Sequence, residues 1–288
     1  MKVKPQHKEN EQQIVIALGD PAGIGMEITL KALADPIFAK KMNPVIVGCR
    51  KSLEIKYNNL ISKGIVQLAN PTNLNIKNIP LNQSIRPGEP TPVSGKASFD
   101  WLTRATEFLI KNNSKALVTA PISKYAWSLA GHIYSGQTER LAELTGSNNV
   151  SMLFTAISPE SGWRFNTLLA TSHIPLSKVS KQLTPQLITR KLDALLTFCK
   201  QFKRDPKIAI AGLNPHSGEQ GQLGNEEIVW LNPTLKTWKR NHPEAKLDGP
   251  LPPDICWLSA AKAWKKTSTL EVPDGYLALY HDQGLIPM

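Results

Sequence analysis

Three apolar runs, each emptying into a loop that carries a histidine, constrain this chain more than any other feature. They are ATSHIPL (170–176), AGLNPHSGE (211–219) and GYLALYHDQGLIPM (275–288). In the last, Tyr276 to Tyr280 reads as a short buried strand that delivers His281, Asp282 and Gln283 onto a loop. Gly284 lets that loop turn, with no helix after it. Strands that are apolar on both faces belong in a largely parallel sheet covered by helices. Ligands of such sheets bind beyond the carboxyl ends of the strands. Three such ends, far apart in sequence, predict one site assembled from distant parts of the chain.

The remaining pattern alternates strands with helices. Strands are expected at Ile14–Leu18, Pro44–Gly48, Ala116–Thr119, Val150–Ala156, Thr167–Thr171 and Lys207–Ala211. The pair flanking Pro159–Gly162 reads as a hairpin. Helices are expected at about Gly25–Ala34, Arg50–Leu60, Ser94–Asn113, Pro185–Phe202 and Glu226–Asn241, the last interrupted near Pro233. Residues 65–93 read as short strands and turns, and LDGPLPPD (247–254) as a turn-rich connection. Asp254 caps or precedes a helix reaching Lys266, and residues 1–13 read as a disordered tail.

Two further stretches have the look of a site. GDPAGIG (19–25) is a tight strand-to-helix turn whose amides can hold an anion, although the GxGxxG dinucleotide pattern is absent. In TAPISK, Ser123 can cap a helix whose first turn holds Lys124. A lysine there opposes the helix dipole, which favours a functional reason for it.

Composition narrows the classes. With 34 basic and 23 acidic residues the chain carries a net charge of +11. The basic residues are scattered, no nucleic-acid motif accompanies them, and the expectation is a basic surface that attracts an anionic substrate, not a nucleic-acid binder. No run of 18 apolar residues appears, so no membrane span is expected, and the charged N-terminus lacks a signal-peptide core. The three isolated cysteines, Cys49, Cys199 and Cys256, form no CxxC pair and read as small buried hydrophobes in a reducing, cytoplasmic setting.

Three imidazoles, His173, His216 and His281, suit a borderline divalent ion such as zinc, cobalt, nickel or manganese, with coordination positions left for substrate. Their spacing matches no local zinc motif, and a histidine taken singly is more often a hydrogen-bonded structural residue; the shared strand-end context of the three is what favours ligands. His7, His132 and His242 lack the strand-end context.

GDPAGIG, TAPISK, GQTE, SHIPL, NPHSGE, GPLPPD and YHDQG stand in the order found in one enzyme family. Over roughly residues 14–288 the chain resembles the 4-hydroxythreonine-4-phosphate dehydrogenases of vitamin B6 biosynthesis. The resemblance implies an α/β fold like that of the isocitrate and isopropylmalate dehydrogenases. It would comprise two interleaved α/β subdomains, approximately 14–130 and 131–288, with the active site in the cleft between them. It also implies a homodimer whose metal sites are completed across the interface. His173, His216 and His281 would hold the divalent metal (zinc, cobalt, magnesium or manganese), and Gln137 and Thr138 would contact a small phosphorylated substrate. The implied reaction is NAD- or NADP-dependent oxidation of 4-phosphooxy-L-threonine, followed by decarboxylation to 3-amino-2-oxopropyl phosphate. Asp254 and Asp282 are the candidates for orienting a ligand or relaying the hydroxyl proton, with a helix cap as the other reading of Asp254. Lys124 and the helix-start amides near Thr138 are candidate phosphate partners.

The chain departs from the family pattern in three places. Gln137 stands where the family has a histidine, and a glutamine can donate a hydrogen bond but cannot carry charge. Met26 replaces a usual proline. The family continues beyond YHDQG with a lysine, an asparagine and an arginine that contact substrate and a segment expected to hold the dinucleotide. Two alternatives to the leading activity stay open: a relative acting on another phosphorylated hydroxy acid, and an inactive truncated homologue.

Overall fold

The computed structural model describes residues 13–147, 149–266 and 271–288. The expected tail lies outside them except for Gln13, whose carbonyl accepts the Lys115 N–H. The chain divides into two compact units, Met1–Asn148 and Asn149–Met288.

The first unit runs β1 (Ile14–Ala17), α1 (Gly25–Ala32), α2 (Pro36–Met42), β2 (Val45–Gly48), α3 (Arg50–Ser62), β3 (Ile76–Asn78), α4 (Pro92–Asn112), β4 (Ala116–Thr119), α5 (Lys124–Leu129) and α6 (Gln137–Thr145). Its four strands are all parallel, in the order β3-β2-β1-β4. Side chains alternate across the sheet. Ile14, Ile16 and Leu18 enter one core with Leu30, Leu53 and Trp101, while Val15 and Ala17 enter another with Phe99, Leu102 and Trp127. Helix α4 starts on a capping box in which Thr91 and Ser94 exchange hydrogen bonds. Gly95 lies against the Ala126 carbonyl so closely that no β-carbon fits, which lets α5 approach α4. Trp127 Nε1 then donates to Ser98 Oγ at 2.7 Å. Helix α2 was not legible in the periodicity. It is set by Asp35, whose carboxylate accepts the Ile37 and Phe38 N–H groups.

The second unit runs β5 (Leu153–Ile157), β6 (Arg164–Leu169), α7 (Leu176–Gln182), α8 (Pro185–Cys199), β7 (Lys207–Ala211), α9 (Asn232–Asn241), β8 (Lys246–Leu251), α10 (Leu258–Trp264), β9 (Gly275–Ala278) and α11 (His281–Leu285). The sheet order is β5-β6-β9-β7-β8, with only the β5–β6 hairpin antiparallel. Leu168, Ile208, Ile210, Leu277 and Leu279 face a core with Leu192, Leu195 and Trp238. The opposite face places Phe165, Ala209, Ala211 and Tyr276 against Cys256 and Ala260. The interrupted helix near Pro233 is a wide π turn, Glu227–Leu231, leading into α9.

Two expectations fail here. LDGPLPPD is not only a connection, since Lys246–Leu251 forms β8 on β7. It is an edge strand, where proline removes no ladder bond that the sheet needs. The residues after β9 form α11 instead of a loop, and Gly284 serves close packing, not a turn. A β-carbon there would sit 2.5 Å from Leu169 Cδ2 and 2.9 Å from Ala278 Cβ.

Candidate active site

The sheet order of the second unit turns three scattered histidines into a row. Strands β6, β9, β7 and β8 are neighbours and parallel. Just past their carboxyl ends come His173, His281, His216 and Asp254, in that spatial order. This is where ligands of such sheets bind.

His173 and His281 are brought together, with ring centroids 5.6 Å apart. With Zn–N near 2 Å, two imidazoles sharing one tetrahedral ion have centroids roughly 5 Å apart, so the pair is at sharing distance. The Nδ1 of His281 lies 2.8 Å from Asp282 Oδ1, the carboxylate–histidine arrangement common at metal centres, in which the other ring nitrogen serves as the ligand. Both rings line a cavity of about 230 Å³ with Thr171, Ser172 and Tyr280. The donor chemistry fits a borderline divalent ion. Within one chain the set does not close: among the described residues no three His, Cys, Asp or Glu side chains converge as a metal group.

His216 sits on an unusual loop. Residues His216, Ser217, Gly218, Glu219 and Gln220 all have positive φ, between 41° and 86°, and His173 has φ 53°. Each non-glycine residue held there costs on the order of 1–3 kcal/mol, so the surroundings must fix the conformation. Glu227, 1% exposed, does much of this. Its Oε1 accepts the Leu213 and Asn214 N–H groups, both at 2.8 Å, and its Oε2 accepts Asn214 Nδ2. Ser217 Oγ donates to the Pro250 carbonyl at 3.0 Å, tying the loop to β8. Asp254 lies exposed in the turn after β8. It does not cap α10, whose N-cap is Trp257, residues 253–257 having turned before the helix begins.

The other candidates gather in the first unit. Ser123 Oγ accepts the Ala126 N–H and caps α5 as expected, which sets Lys124 at its first residue. A β-carbon on Gly136 would lie 4.0 Å from Lys124 Nζ, so the ammonium sits at the start of α6. That helix has no side-chain cap, and Gln137 and Thr138 open it. Gln137 Nε2 makes one long bond, 3.4 Å, to the Ala120 carbonyl. Its Oε1 is buried and accepts nothing, one of two such side-chain atoms among the described residues.

Sequence reasoning passed over Glu227 and Gln283. Glu227 stood in a stretch read only as the start of a helix, with no signal that it turns inward. Gln283 was placed on the closing loop without a role, yet it is 6% exposed and both ends of its amide are bonded. The cysteines are buried and free as expected. Burial pushes the thiols of Cys199 and Cys256 up to about 12. No helix among the described residues is long and apolar enough to cross a membrane.

Comparison with known proteins gives the family. The chain is 54% identical over 277 residues to the 4-hydroxythreonine-4-phosphate dehydrogenase of Synechococcus sp. (strain RCC307), covering 96% of this chain and 84% of that protein. It is 35% identical to the enzyme of that name from Aquifex aeolicus (strain VF5), over 96% of this chain and 82% of the relative. Among solved structures, 4-hydroxythreonine-4-phosphate dehydrogenase from Klebsiella pneumoniae superposes with a TM-score of 0.77 at 30% identity, covering 96% of this chain and 82% of that one. Residues 40–288 match the family model described as pyridoxal phosphate biosynthetic protein PdxA. By its match to the family model, its relatives and its α/β fold, the chain belongs to the PdxA family of α/β dehydrogenases of vitamin B6 biosynthesis.

Proposed function

We propose that this chain oxidises the secondary hydroxyl of 4-phosphooxy-L-threonine with NAD or NADP. The 3-keto acid so formed loses carbon dioxide to give 3-amino-2-oxopropyl phosphate. The observation that carries the reading is the row of His173, His281 and His216 beyond adjacent parallel strands, in a chain whose relatives bear this enzyme's name. His173, His216 and His281 would hold a divalent ion, with a second copy of the chain completing the set in a homodimer. When bound, that ion supplies Lewis acidity toward the substrate oxygens. Asp282 orients the His281 ring through Nδ1. Asp282 and Asp254 are the carboxylates available to take the hydroxyl proton.

Phosphate recognition falls to the start of α6. Its uncapped amides and the Lys124 ammonium together favour a dianion. Gln137 Oε1, buried without a donor, is suited to accept one from the substrate. The basic balance of the chain, +11, favours encounter with such an anion. A cytoplasmic setting fits three free, buried thiols.

The test is formation of reduced nicotinamide by the purified chain with 4-phosphooxy-L-threonine, beside a panel of other phosphorylated hydroxy acids. A tenfold higher kcat/KM for another acid overturns the substrate assignment and favours the second reading, which the glutamine at position 137 motivates. For the metal ligands, His281→Ala is expected to lose bound metal, and unchanged occupancy would remove His281 from the set.

A further inference from the structure

The backbone ladder between β9 and β7 ends at the Leu277–Ile210 pair. Two residues further on, Leu279 and Gly212 would face each other next, but their main chains do not bond directly. The side-chain amide of Gln283 stands between them. Its Oε1 accepts the Leu279 N–H at 2.7 Å and its Nε2 donates to the Gly212 carbonyl at 2.7 Å. On the far side of β9, the Leu279 carbonyl accepts Thr171 Oγ1 at 2.8 Å and the Thr171 N–H at 3.2 Å. On the far side of β7, the Gly212 N–H donates to the Leu251 carbonyl at 2.7 Å. A hydrogen-bonded belt thus crosses four strand ends at one level, through Thr171, Leu279, Gln283, Gly212 and Leu251.

Each of the four backbone members of the belt lies shortly before a candidate site residue. Thr171 precedes His173, Leu279 precedes His281, Gly212 precedes His216, and Leu251 precedes Asp254. The Gln283 side chain bonds to two strand ends at once, those carrying His281 and His216. Thr171, Leu279 and Gln283 are each 6% exposed or less, so water does not compete for these bonds.

We infer that Gln283 is a positioning residue that acts as a spacer. It sets the separation of the β9 and β7 ends, and through them the placing of His281 relative to His216. This inference rests on the metal-centre reading above. A methionine of similar length would fill the space without either bond and leave a buried N–H and a buried carbonyl unpaired, which the strand ends relieve by shifting. A glutamate keeps the acceptor for Leu279 and loses the donor to Gly212.

Titration of the metal-free chain with Co(II), followed by calorimetry and by its visible ligand-field bands, tests this. Gln283→Met and Gln283→Glu are expected to weaken Co(II) binding tenfold or more and to change the bands, which report ligand geometry. Wild-type affinity within twofold and unchanged bands in either folded variant would overturn the spacer role while leaving the metal ligands standing. A wild-type chain that binds neither Co(II) nor Zn(II) would overturn the metal reading and this inference with it. If neither variant folds, the wild-type protein still decides: Zn(II) saturation is expected to shift the Gln283 side-chain amide signals in NMR spectra, and unmoved signals would overturn the proposal.

Discussion

The side-chain amide of Asn214 donates to the Glu227 carboxylate at 2.8 Å, while the Asn214 backbone N–H donates to the other oxygen of the same carboxylate at 2.8 Å. With the Leu213 N–H also on Oε1, one buried anion satisfies three donors and fixes the loop that bears His216. Glu227→Gln keeps the shape but turns one acceptor into a donor facing Asn214 Nδ2. A hydrogen bond to a charged partner contributes about 2 kcal/mol, and a buried donor left unmet adds to the loss. Glu227→Gln is therefore expected to lower the unfolding free energy by about 2–3 kcal/mol in urea titrations. A change under about 0.5 kcal/mol would show that the loop does not depend on this carboxylate.

Much of this was legible in the chain and some was not, for physical reasons that differ by residue. The strand Lys207–Ala211 and the Ser123 cap were readable because each is a local signal, an apolar run or a hydroxyl three residues before the N–H it accepts. Strand β8 was hidden because Gly249, Pro250 and Pro252 are turn residues everywhere except at a sheet edge. The turns of α11 were hidden because HDQGL is too short to show a period. The histidines announced themselves singly, but their row depends on β9 lying between β6 and β7, which no stretch of sequence states. Gln283 could not be assigned without that order, since its two partners are 4 and 71 residues away.

Lys191 gives a pH-dependent prediction. Its ammonium is buried and bonds to the Val150 carbonyl at 2.7 Å and Ser151 Oγ at 2.8 Å, with no carboxylate paired to it among the described residues. Burial first, and Arg190 second, hold its pKa below the ordinary 10.5. In the folded state the charged form is disfavoured, so this group's penalty is fully present below the folded pKa. It fades as pH rises from there toward 10.5, because the unfolded chain then binds more protons than the folded one. Lys191→Met has no such dependence. The unfolding free energy of wild type relative to Lys191→Met is expected to rise with pH over that alkaline window. A constant or falling difference would contradict the burial argument.

The buried thiols make a prediction about reactivity. Only thiolates react readily, and burial that raises Cys199 and Cys256 to about 12 leaves almost none near pH 8. Cys49 is 2% exposed and out of reach of reagents. Intact-mass analysis after iodoacetamide treatment at about pH 8 is expected to show no adducts on the native chain. In urea all three cysteines are expected to alkylate. Labelling of a native thiol at a rate near that of the unfolded chain would mean that its packing opens.

Gln137 offers the sharpest test of the phosphate site, because its substitution can be made without disturbing a strong bond. Nε2 reaches the Ala120 carbonyl only at 3.4 Å and Oε1 has no donor, so the native side chain contributes little to folding. Gln137→His is expected to change stability by less than about 0.5 kcal/mol. Its effect on the substrate should be larger and should carry a sign. An imidazolium at the start of α6, beside Lys124, adds positive charge where the phosphate is proposed to bind. A free imidazole titrates at about 6.5 and the neighbouring ammonium lowers this, while the substrate phosphate also titrates at about 6, so the readout is a ratio: KM of the parent chain over KM of Gln137→His is expected to rise about threefold as pH drops through the imidazole's titration. Calorimetric binding of inorganic phosphate should follow the same course. Parallel KM profiles for variant and parent would place the phosphate away from Gln137, and with it away from Lys124.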